Sequence, residues 1–61
     1  MSMKDVFTNS LKSLGLHEEL IMSERGYKET VHRFLEFRRK NQNLHFLVRK
    51  SYGTRIIRRV A

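Results

Sequence analysis

The chain has 61 residues, no cysteine and no proline, and its thirteen Lys and Arg against six Asp and Glu give a formal charge of +7. That length supports one small domain, residues 1–61, and the missing cysteines exclude disulfides and thiolate metal sites. The charge sets aside most small enzymes and points to a polyanion, while no apolar run approaches the roughly 18 residues of a membrane span and none follows the N-terminus as in a secretory signal, so the expected location is cytoplasmic.

Residues 3–14 predict a short helix, because Phe7, Leu11 and Leu14 recur at i, i+4 and i+7. Ser2 or Asp5 stands where an N-cap belongs, and Gly15 where a left-handed residue ends a helix. Residues 17–25 read as a second short helix. Leu16, Leu20 and Ile21 supply its apolar edge, Glu18 and Glu19 suit its first turn, and Gly26 stops it. Leu20-Ile21-Met22 also fits a short strand that would join a C-terminal hairpin.

Residues 28–40 predict the strongest helix. With Tyr27 as origin, Val31, Phe34, Leu35 and Phe37 fall within an arc of about 160°. His32, Arg33, Glu36, Arg39 and Lys40 cover the opposite face. Arg38 falls inside the apolar arc, where either the helix frays or the Arg stem packs on the core and its head reaches water.

Asn41-Gln42-Asn43 is a polar break. Residues 44–50 and 54–60 then predict a hairpin around Ser51-Tyr52-Gly53, a three-residue loop closed by a bulge. That register sets Arg49 opposite Arg55, Val48 opposite Ile56, Leu47 opposite Ile57, Phe46 opposite Arg58 and His45 opposite Arg59. Like charges directly opposite repel. A tip carrying Arg49, Lys50 and Arg55 around Tyr52 therefore calls for an anion. A one-residue slip would exchange the partners and keep the charge density.

The charge is unevenly spread. Residues 1–30 carry four cations and five carboxylates, a balance of −1, and residues 31–61 carry nine cations and one carboxylate, a balance of +8. Seven of those nine cations are Arg, whose planar fork fits phosphate and guanine edges. Such asymmetry is the usual footprint of nucleic-acid binding, and a solvated basic surface is the plainer reading.

Glu19-Leu20-Ile21, Gly26, Thr30-Val31-His32-Arg33 with Leu35, and the cationic run Arg49-Lys50-Ser51-Tyr52-Gly53-Thr54-Arg55 follow one another in the order helix, helix, helix, hairpin. This order, over residues 3–60, resembles a minimal winged helix-turn-helix DNA-binding domain. The expected fold class is therefore α+β, three short helices followed by a C-terminal β-hairpin. The resemblance implies that the third helix enters the major groove and that the hairpin wing lies on the phosphate backbone or in an adjacent groove. The implied contacts are Lys28, Thr30, His32, Arg33, Arg39 and Lys40 on the helix, and Arg49, Lys50, Tyr52, Arg55, Arg58 and Arg59 on the hairpin. Arg33 is the first candidate for a base contact, and Thr30 for a phosphate near the helix N-terminus. Glu36 accepts from cytosine or pairs with Lys40 at i+4. Tyr52 stacks on an unpaired base or packs on a neighbouring stem.

His17, His32 and His45 lack metal-ligand spacing, so no metal, cofactor or enzymatic activity is expected. The expected role is a small DNA-binding regulator or recombination accessory factor of the phage or mobile-element kind, with double-stranded DNA as first partner. RNA, a second copy of the chain and an acidic protein partner stay open. The second reading is a small basic inhibitor docking on an acidic groove of a nucleic-acid-handling enzyme. A metal-free ribonuclease toxin using His45, Tyr52 and Arg side chains as acid, base and phosphate clamp comes third. The basic helix 28–40 also fits a membrane surface, but a hairpin covering its apolar face speaks against a membrane partner.

Overall fold

The computed structural model describes residues 3–61, with side chains from Val6 onward. The expected capping by Ser2 or Asp5 lies outside the described side chains. The element order is α1 (Met3–Ser13), β1 (Glu19–Ser23), α2 (Glu24–Lys40), β2 (Phe46–Ser51) and β3 (Thr54–Arg59). The class is α+β, with two helices and one antiparallel sheet of order β1-β3-β2.

The helix expected at residues 17–25 does not form, so the described residues hold two helices and not three. Its segment divides into β1 and the first turn of α2. Glu-Leu-Ile-Met-Ser alternates, with Leu20 and Met22 half-buried and Glu19, Ile21 and Ser23 exposed. Pairing with β3 places Leu20 beside Ile57 and Ile21 beside Ile56. Nine residues of helix would bury one edge and leave most end groups unpaired, whereas the ladder satisfies the backbone and buries the same edge.

Two glycines also play other parts than expected. The left-handed residue after α1 is His17, at φ 68°, not Gly15. His17 N–H donates to Arg59 O at 2.7 Å, which ties this turn to the end of β3. Gly26 does not stop a helix; it lies in the first turn of α2, and its N–H donates to the Oγ of the N-cap Ser23 at 3.0 Å. Glu24 opens α2, and Arg38, Arg39 and Lys40 close it, both favourable to the helix dipole. Asn41 caps the end, its Nδ2 donating to Phe37 O at 2.8 Å.

The hairpin forms one residue out of the expected register. Ser51 pairs with Thr54, leaving the two-residue turn Tyr52-Gly53 with φ of 47° and 76°. Two left-handed residues make a turn whose twist matches that of the strands, and this outweighs a three-residue loop. Val48 thus faces Ile57, Arg49 faces Ile56, Leu47 faces Arg58, Phe46 faces Arg59 and Lys50 faces Arg55.

Both helices lie on one face of the sheet. Phe7, Leu11 and Leu14 of the α1 segment, Phe34 and Phe37 of α2, and Phe46 and Ile57 of the sheet form the core. Phe34 is its centre: its ring meets Phe7, Tyr27 and Phe46 edge-on at centroid distances of 6.3, 6.3 and 5.8 Å. Arg38 does pack its head against the core, 5.6 Å from the Phe34 centroid, while staying exposed within an intact helix. Among the described residues nothing covers the other face of the sheet, which exposes Ile21 and Leu47 with Arg49 and Arg58 beside them.

Candidate nucleic-acid interface

Helical spacing builds the first part of the site. Lys28, His32, Leu35 and Arg39 recur at i, i+4, i+7 and i+11 on the side of α2 away from Phe34, and all four are exposed. They extend over about 16 Å at 1.5 Å per residue. The carboxylates near this stripe are already engaged. Arg25 Nε lies 3.6 Å from Glu29, and Lys40 Nζ lies 3.1 Å from Glu36. The Lys40 hydrogen bond and charge hold the Glu36 carboxyl below its ordinary range, helped by Arg33 and Arg39. Glu36 therefore takes its intrahelical partner.

The hairpin turn abuts the first turn of α2. Glu24 N–H donates to Gly53 O at 2.8 Å. Arg55 grips the Glu24 carboxylate with two hydrogen bonds, Nε to Oε2 at 2.6 Å and an Nη to Oε1 at 2.9 Å. Its guanidinium also lies over the Tyr27 ring, 4.7 Å from the centroid. The Arg55 hydrogen bond is the main cause that lowers the Glu24 carboxyl below its ordinary range, with Lys50 and Lys28 adding to the positive field. Both lysines thus lie within electrostatic reach of the clamp. Tyr52, fully exposed, projects from the turn.

The twelve residues expected at the interface separate into four groups. Lys28, His32 and Arg39 are exposed along α2, and Lys50 and Tyr52 are exposed at the turn that abuts its start. Arg33 and Lys40 line the flank of α2 that faces α1. Arg49 and Arg58 stand on the bare face of the sheet, where Arg49 pairs with Glu19 at 2.8 Å. Thr30, Arg55 and Arg59 are spent on the fold. Thr30 is buried, and its hydroxyl donates to Gly26 O at 2.9 Å, so it does not reach a phosphate. Arg59 donates to Leu14 O at 3.1 Å, joining β3 to the end of α1. Arg55 is no free cation at the tip.

Among the described residues, no carboxylate forms an ion pair with Lys12, Lys28, Arg33, Arg39, Lys50 or Arg58. Lys12 was not among the expected contacts, since its position opposite Arg33 depends on how α1 crosses α2. The Glu24–Arg55–Tyr27 clamp was also missed. It joins residues 31 apart, and its visible signals were only an acid at a helix start and an Arg in a hairpin.

The side chains proposed for a ribonuclease do not meet. His45 precedes β2 and Tyr52 follows it, about 20 Å apart along an extended strand. Among the described residues, no group of His, Asp and Glu is placed to hold a metal ion, and no helix is long and apolar enough to cross a membrane. No family model, curated protein or solved structure matches this chain.

Proposed function

We propose that the chain binds double-stranded DNA with the exposed face of α2 and the β2–β3 turn, as a small regulator or recombination accessory factor. The observation that carries this reading is the pairing pattern. Among the described residues, Lys28, Arg39 and Lys50 have no carboxylate ion-pair partner, while Glu24, Glu29 and Glu36 are taken by Arg55, Arg25 and Lys40. Unpaired cations at a convex helix face meet a phosphate backbone with gain, through release of its counterions. Lys50 and Lys28 position the helix. His32 and Arg39 are the side chains nearest base edges, and Tyr52 reaches the backbone or a splayed base.

The test is chemical-shift mapping with a mixed-sequence duplex. The expected perturbations fall on Lys28, His32, Leu35, Arg39, Lys50 and Tyr52. Shifts confined to Ile21, Leu47 and Arg58 would contradict the reading. One observation favours a second reading, in which the partner is a protein: Ile21 and Leu47 are 64% and 58% exposed on the bare sheet face. A basic inhibitor of a larger enzyme would use that face.

A further inference from the structure

The side of α2 that turns toward α1 forms a groove of about 190 Å³. Phe37, buried in the core, is part of its lining. Lys12 enters from the last turn of α1, and Arg33 and Lys40 enter from α2. Arg33 and Lys40 are seven residues apart, which places them about 10 Å from each other along the helix axis. Among the described residues, Glu36 is the only carboxylate in the lining, and Lys40 already holds it at 3.1 Å. Lys12 on α1 and Arg33 on α2 therefore line a groove whose described side chains carry an excess of positive charge. A cation in the last turn of α1 also suits that helix's dipole, but the dipole does not account for Arg33 on the opposite wall.

A planar Arg fork and a compact ammonium suit a small anion with several oxygens. We propose that the α1–α2 groove is a phosphate-binding subsite, with Lys12 and Arg33 as its two walls. Where the phosphate belongs to DNA, the proposal rests on the nucleic-acid reading above and extends that interface onto α1. A free phosphate ligand offers the same chemistry.

Two measurements separate these sources. The first is fluorescence anisotropy of the intact chain on duplex DNA across a salt series, for the wild type, Lys12→Gln, Arg33→Gln and the double variant. Both side chains are exposed, so circular dichroism should match the wild type. Each substitution is expected to flatten the slope of log affinity against log salt by about 0.9, and the pair by about 1.8. A purely structural Lys12 would leave the slope untouched. The second measurement titrates inorganic phosphate against the ¹⁵N-labelled protein. Resonances of Arg33 and Asn41 are expected to shift in the wild type and to stay fixed in Lys12→Gln. Unchanged DNA slopes together with a phosphate response assign the groove to a free phosphate ligand. A wild type that ignores DNA but answers phosphate removes the nucleic-acid reading and keeps the subsite. Unchanged slopes with no phosphate response overturn the subsite, and the α2 interface then stands or falls on its own binding.

Discussion

Arg55 changes its part once the chain closes. In the sequence it is one more cation at a hairpin tip. In the fold it lies between Glu24 and Tyr27, and its fork is filled by one carboxylate. This pairing also answers the repulsion that the register creates, since Lys50 stands directly opposite Arg55. The contribution of Glu24 depends on pH in a definite direction. Its carboxyl is held below the ordinary glutamate range, so it stabilises the fold above that range and loses the effect as pH falls through the lowered value. Glu24→Gln is therefore expected to lower the thermal midpoint at pH 7. The gap between variant and wild type should close as the solution is made more acid than the ordinary glutamate range. A gap that stays constant with pH would mean that the clamp does not titrate with folding.

The elements were legible in the sequence where one physical signal was enough. Phe7, Leu11 and Leu14 mark α1 by spacing alone, and Tyr27, Phe34 and Phe37 do the same for α2. Glycine and β-rich runs marked the hairpin. The segment around Leu20 was not decided by spacing, because a short apolar edge serves a helix or a strand. Its fate depends on Ile56 and Ile57, more than thirty residues away. The hairpin register turned on a single residue, Ser51, which could belong to the loop or to the strand. Of the site, the basic stripe on α2 could be read from helical geometry. The loss of Arg55, Arg59 and Thr30 to internal partners could not, because each depends on a tertiary contact. The turn supplies the test at this scale. Tyr52 sits at φ 47°, a conformation that costs an ordinary side chain but that Asn tolerates. Tyr52→Asn is expected to raise the thermal midpoint by about 2–5 °C. No change would mean that the tyrosine is held there by a contact of its own. Loss of DNA affinity in the same variant would report stacking or backbone contact by Tyr52.

The whole molecule has two unlike faces. One carries α2, the turn and the α1 groove, with cations that lack carboxylate partners among the described residues. The other is the open sheet, where apolar side chains and Arg58 surround the Glu19–Arg49 pair. A small domain with most of its acids already matched directs its remaining charge outward, and a polyanion is the partner that gains from it. The most direct measurement is binding of the wild type to a mixed-sequence duplex of about 30 base pairs, followed by fluorescence anisotropy from low to physiological salt. Five cations on phosphate, Lys12, Lys28, Arg33, Arg39 and Lys50, predict a slope of about −4 to −5 in log affinity against log salt. Absence of binding at the lowest salt, or an affinity indifferent to salt, would contradict the account and leave the bare sheet face as the site to pursue.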